Sequence, residues 1–331
     1  MRPQGGKGPA RRAETVRASA LARMPVTVFA IVMGLCGLAL ALAAGEAALD
    51  MTSVLSTAAY SLALVLFVVV AGLYLLKLVL HGAEVRAEWN DPDRLAFFPA
   101  MSIALLLLAA ASLERSQPIA EAMWIAGAAM QGVLSLAVIN GWIGARSFVH
   151  GHLSPAWFIP AVGNVIVPIA GVELGYPEIC WFFMSVGLVF WIVLLTLVIN
   201  RLIFHDPLPE RLQPTLVILI APPAVGFLGW VALTGGIGPL ARILLNVAFL
   251  FSLVVALQLP RILRLPFSLA FWALSFPVAA VTVASLRHAA LTGSTAHRGI
   301  GLALLAVLCV IIAVLAWRTL QALRARTLFP R

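Results

Sequence analysis

Proline falls inside alternate members of a series of long apolar segments in this chain, and that alternation constrains the fold more than any single motif. Ten segments are long enough to cross a bilayer, at roughly 26–45, 54–76, 95–113, 119–142, 158–174, 178–200, 213–233, 240–260, 267–287 and 299–320. Four of the five odd-numbered segments carry proline, in Phe97-Phe98-Pro99, in Phe158-Ile159-Pro160 with Pro168 downstream, in Ala221-Pro222-Pro223 and in Ser275-Phe276-Pro277. The even-numbered segments read as free of internal proline, and three begin just after Pro118, Pro177 and Pro239, where a missing N–H has no partner to lose. The lead prolines recur about every 60 residues, the length of two spans and their connections.

A proline deep in a helix removes a hydrogen bond and crowds the preceding turn. A backbone group freed at membrane depth persists only against protein or a water-filled cavity. Pro168, Pro222, Pro223 and Pro277 are read as breaks of this kind, whereas Pro99 lies near the start of its segment. The pattern predicts an all-α integral membrane fold of ten helices in five hairpins, with bent odd helices in an inner ring and straight even helices facing lipid. Ordinary helix packing is the competing explanation, because Gly and Pro are common in transmembrane helices. The first odd segment departs from the pattern: Pro25 only opens it, and Gly34 and Gly37 sit mid-span, where they give flexibility or close approach.

With 62% hydrophobic and 11% charged residues and a mean hydropathy of +1.04, the chain exposes too much apolar surface for a soluble domain. If the N-terminus is cytoplasmic, 18 of the 22 Lys and Arg residues fall on the inner side, leaving Arg115, Arg242, Arg287 and Arg298 outside. Both termini are therefore expected in the cytoplasm, with the protein in the cell (inner) membrane. The net charge of +9 is read as orientation signal and contact with anionic lipid headgroups, and no nucleic-acid partner is expected. Residues 1–23 read as a basic, disordered cytoplasmic arm, residues 24–326 as the pore domain and residues 327–331 as a cytoplasmic tail. The first apolar run is too long for a signal peptide and is read as the first helix.

The polar inventory excludes most chemistries. Of the acidic residues only Glu121 and Glu173 fall within a predicted span, each near its end. A proton-coupled carrier needs a buried carboxylate or His at mid-membrane, and a tight carboxylate site needs a central Arg or Lys. Neither is visible, which favours a weakly binding pore. Cys36, Cys180 and Cys309 lack metal or redox spacing, and His150-Gly151-His152 offers two ligands without a third. No enzyme activity, metal or cofactor is expected.

Among the polar residues of the odd spans, Asn164 has two readings, an amide offered to a passing anion or one bridging helices. Ser275 and Thr282 are further candidate pore contacts, while Gln131, Asn140, Asn246 and Gln258 on even spans are expected to bond between helices. Phe276, immediately before Pro277, is either core packing or a ring that projects into the axis and blocks ions by dewetting.

The segments Glu84-Val85-Arg86-Ala87-Glu88-Trp89, read as a cytoplasmic loop, Pro155-Ala156-Trp157-Phe158-Ile159-Pro160-Ala161-Val162 and Phe271-Trp272-Ala273-Leu274-Ser275-Phe276-Pro277 resemble the TehA-like tellurite-resistance and dicarboxylate transporters, relatives of the plant guard-cell slow anion channels. The resemblance covers roughly residues 24–326. It implies a homotrimer with one pore per subunit, five hairpins in quasi-fivefold symmetry around that pore, and a gating phenylalanine at the position of Phe276. Gly34, Pro99, Pro160, Pro168, Pro222, Pro223 and Pro277 would then shape the pore. The leading expectation is a passive channel for chloride, nitrate or similar anions; the alternative is a secondary exporter of tellurite, sulfite or C4-dicarboxylates.

Overall fold

The computed structural model describes residues 20–144 and 148–329. Most of the basic arm, Arg146, the His150 side chain and the last two residues of the tail lie outside them. The final arm residues, Ala20–Arg23, form one helical turn. Among the described residues every element is helical. The long helices are α1 (Phe29–Ala48), α2 (Val54–Leu80), α3 (Gly82–Asn90), α4 (Ala100–Ser112), α5 (Gln117–Ile143), α6 (Phe158–Gly171), α7 (Pro177–Phe204), α8 (Ala221–Thr234), α9 (Pro239–Ile262), α10 (Ser275–Thr292) and α11 (Thr295–Arg324).

Helices α1, α4, α6, α8 and α10 each pack on the next, and α10 packs back on α1, so the odd helices close a five-membered ring. Each outer helix, α2, α5, α7, α9 or α11, packs on its own hairpin partner and on the following inner helix, and so fills the groove between two ring members. Burial follows the same division. Four inner spans are 61–89% buried over their most apolar windows and the five outer spans only 22–33%, and α6 is buried along nearly all its length. Outer side chains such as Val79 and Leu257 remain exposed, and in lipid apolar exposure of this kind carries no penalty. Nine of these helical spans are long and apolar enough to cross a membrane, while Pro155–Gly171 is shorter. The chain is a multi-pass membrane protein.

The prolines act differently from the expectation. Every inner span opens with a 3-10 segment, Val26–Val28, Leu95–Phe97, Pro155–Trp157, Glu210–Ile220 or Leu269–Leu274, and then becomes α-helical. Pro99 directly precedes α4, Pro160 and Pro277 are the third residues of α6 and α10, and Pro222 and Pro223 are the second and third of α8. They occupy first turns, where the α-pattern needs no N–H, so they mark a change of helix type rather than interrupt a helix interior. Of the four prolines read as deep breaks, Pro168 alone lies well inside its α-helix. The outer set is not wholly free of proline either, because α9 runs through Pro260 to Ile262.

The segment from Glu84 to Trp89, read as a loop, is part of α3. Its Glu88 explains how Lys77 is tolerated at 1% exposure near the end of α2: the ammonium lies 3.2 Å from Glu88 Oε1 and donates to Met24 O at 2.7 Å. Tyr74 Oη donates to Glu88 Oε2 at 2.9 Å, and Arg94 Nη1 reaches Oε1 at 3.3 Å. Glu46, assigned to a connection by sequence, lies in the last turn of α1, where its carboxylate accepts from Leu55 N and Ser56 N at the start of α2.

Candidate functional site

The ring encloses a cavity of about 40 Å³ to which all five inner spans contribute: Met33, Phe97, Ile159 and Ile218 from the first four, and Trp272 and Phe276 from the fifth. Among the described residues no charged side chain lines it. The one lining side chain with a polar atom, Trp272, turns its Nε1 away to donate to Thr319 Oγ1 on α11 at 2.9 Å. Phe276 is 7% exposed, and Pro277 is the one candidate proline on the cavity wall. Pro99, Pro160, Pro222 and Pro223 set the start of their helices, but their neighbours Ala100, Ile159 and Ala221 form the wall.

The three polar candidates face elsewhere. Asn164 Nδ2 donates to Ser135 Oγ on α5 at 3.1 Å and to Pro160 O at 2.9 Å. Gln131 donates to the same two oxygens at 2.8 and 3.0 Å, and its Oε1 lies 2.7 Å from Ser102 Oγ. Asn164 thus belongs to a buried network that ties α4, α5 and α6 together, the helix-bridging alternative of its two readings. Ser275 Oγ donates to Trp272 O at 2.6 Å and Thr282 Oγ1 to Val278 O at 2.7 Å, both within their own span. Of the even-span amides, Gln131 bridges helices as expected, whereas the exposed Asn246 bonds back to Arg242 O in its own helix.

Gly34 takes part through the seam between α1 and α10 rather than through the cavity wall. A Cβ there would stand 2.9 Å from Ser275 Cβ and 3.0 Å from Trp272 Cε3, so glycine is what lets the first and fifth hairpins close the ring. Sequence reasoning did not single out Trp272, Phe97 or Met33 as wall residues. For Trp272 a signal existed, because it lies four residues before Phe276 and so shares its face.

The family model described as SLAC1, voltage-dependent anion channel, matches residues 23–320. The chain is 28% identical over 322 residues to the S-type anion channel SLAH2 of Arabidopsis thaliana, covering 94% of this chain and 61% of that protein. It is 26% identical over 321 residues to the guard cell S-type anion channel SLAC1 of the same plant, covering 94% and 58%. A tellurite resistance protein TehA homolog of Haemophilus influenzae is 25% identical over 268 residues, covering 78% of this chain and 79% of that one. The chain spans about three fifths of the length of these two plant relatives. The resemblance read from the three segments is borne out.

Proposed function

The chain belongs to the SLAC1 family of voltage-dependent anion channels, and from that premise we propose that it is a passive channel for small monovalent anions such as chloride or nitrate, with an intrasubunit pore closed by Phe276. The supporting observation is the small cavity inside the ring, a space of about 40 Å³ with an apolar wall that includes Phe276. One water needs roughly 10–15 Å³, so a hydrated anion cannot enter without shedding most of its shell. The wall offers no group to replace that shell, and the barrier is one of dehydration. Conduction then requires the ring to move aside.

Coupled export, which the tellurite-resistance relative raises, is the weaker reading. Glu46 and Glu88 are the buried carboxylates among the described residues. One is committed to backbone N–H groups and the other to Lys77, and the buried His288 lies in the last turns of α10 against His297 rather than at mid-span, so none is placed to carry a proton through mid-membrane.

Anion currents from purified protein in planar bilayers test the gate. Phe276→Ala is expected to raise conductance tenfold for each ~1.4 kcal/mol removed from the barrier. Unchanged currents from a folded variant would reject Phe276 as the gate. Both termini are assigned to the cytoplasm on the distribution of Lys and Arg, which labelling of single cysteines placed in α3 and beside Gly236 checks from either side of the cell membrane. A homotrimer is assigned on the family resemblance, and a mass of one subunit for the purified protein would refute it.

A further inference from the structure

Four arginines fall outside the positive-inside pattern, and they are not alike. Arg115 is structural: Nη1 donates to Ala111 O at 2.5 Å, Nη2 to Thr57 Oγ1 at 3.2 Å, and the guanidinium lies 4.7 Å from the Tyr60 ring centroid. Arg242 lies near the paired His288 and His297 rings, whose centroids are 4.0 Å apart. Arg287 and Arg298 are exposed and form no ion pair with a described residue. Both line a single cleft of about 500 Å³ between α1, α10 and the start of α11.

That cleft lies beyond the small cavity along the α1–α10 seam, on the helix faces that border both. On α10, Phe276 borders the small cavity, and Val283 and Arg287 border the cleft. These positions are separated by seven and four residues, so they share one helix face. On α1 the same relation holds: Ala30 and Met33 border the cavity and Ala44 and Ala47 the cleft, with Gly37 and Leu40 at the intervening positions of that face. Arg287 therefore lies about 16 Å along the helix from Phe276, at the end of the ring opposite the Lys77–Glu88 pair.

We propose that Arg287 and Arg298 form a capture site for small inorganic anions at the outer mouth of the pore. The site rests on the channel reading above. Two weakly hydrated guanidinium groups in a cleft with low-dielectric walls focus positive potential and raise the local anion concentration ahead of the constriction. Asp50 lines the same cleft and leaves a single net positive charge among its fixed charges. An anion is thus attracted without being held so tightly that it cannot move on.

Chloride currents in phosphatidylcholine bilayers test the proposal in wild type and in Phe276→Ala, with chloride supplied from the outer side. Ionic strengths of about 10 mM and 1 M change the screening length from roughly 30 Å to 3 Å. At low salt, Arg287→Gln and Arg298→Gln each lower the outer-side conductance about threefold or more and Asp50→Asn raises it, whereas at high salt all converge on their parent. Losses equal at both salts, or none at either, overturn the capture site while leaving the channel reading standing. Bromide gives a second readout that needs no conduction: soaked crystals show an anomalous peak beside the two guanidinium groups, and the peak is absent from the double variant. Currents missing from every variant reject the channel reading, and the bromide peak still decides the site. If a lipid headgroup phosphate occupies the cleft instead, no bromide peak forms and the arginine variants act only when anionic lipid is added, which also overturns the proposal.

Discussion

The Phe276 ring rests against Gly37: a Cβ built on that glycine would lie 3.5 Å from Phe276 Cδ2 and 2.8 Å from Ala279 Cβ. The first distance is ordinary contact, but the second is closer than two carbons can approach. In Gly37→Ala the seam between α1 and α10 must open by a few tenths of an ångström and carry the ring outward. Conductance is expected to rise a few-fold, on the order of 1 kcal/mol in barrier. If the glycine acts through the ring, the rise disappears when Gly37→Ala is made in the Phe276→Ala background. Bilayer recordings of the four members of that cycle measure the coupling, and equal effects in both backgrounds reject the contact as the route.

The network around Gln131 is redundant, which sets the size of its mutational effects. After Gln131→Leu, Ser135 Oγ and Pro160 O each keep Asn164 as a donor, and Ser102 Oγ keeps Pro99 O at 2.8 Å. The single substitution is expected to cost about 1 kcal/mol. Adding Asn164→Leu removes both amide donors from Ser135 and Pro160, so the double variant loses more than the two singles together. Apparent melting temperatures in detergent for the three variants check this.

The Lys77–Glu88 pair behaves in the opposite way, because its charges have no equivalent substitutes. Lys77 is 1% and Glu88 4% exposed, and Arg94, at 47%, sits at the cluster's exposed edge and is screened by solvent. Lys77→Met leaves the buried carboxylate with only Tyr74 and the solvent-screened Arg94 and is expected to cost about 2–3 kcal/mol, below the full penalty for an uncompensated buried charge. Lys77→Met with Glu88→Leu removes the under-compensated charge and recovers part of the loss. A double variant that melts below the single would contradict this account.

The ring itself was legible from sequence because proline marks it, whereas hydropathy cannot, since lipid-facing and core-facing helices are equally apolar. What the prolines do was not legible. A proline within an apolar run reads as a mid-helix break, and only the backbone reveals that Pro222, Pro223 and Pro277 sit in the first turn after a 3-10 segment. The first hairpin achieves the same change of helix type over Val26–Val28 and uses Gly34 and Gly37 to seat α10. Spacing could have moved Thr282 off the pore face, since six residues beyond Phe276 is well round the helix. The Lys77–Glu88 contact joins a residue read as flanking with one read as loop, and no periodicity links them.

Close approach makes Gly163 the most sensitive test of how α5 docks on α6. A Cβ at Gly163 would overlap the Gln131 amide itself, and Gln131 is fully buried, so that amide cannot swing aside without breaking its bonds to Ser135 and Pro160. Gly163→Ala should therefore cost both overpacking, about 1–3 kcal/mol, and part of the network. Helix propensity acts the other way, because Ala is favoured over Gly by roughly 1 kcal/mol in a helix interior. The sign of the net effect thus depends on Gln131. In wild type the variant is expected to melt lower, while in a Gln131→Ala background, where the clashing amide is gone, the same substitution is expected to be neutral or stabilising. Melting curves for the two backgrounds decide it: destabilisation of equal size in both would mean that Gly163 is required by its own backbone and not by the amide packed on it.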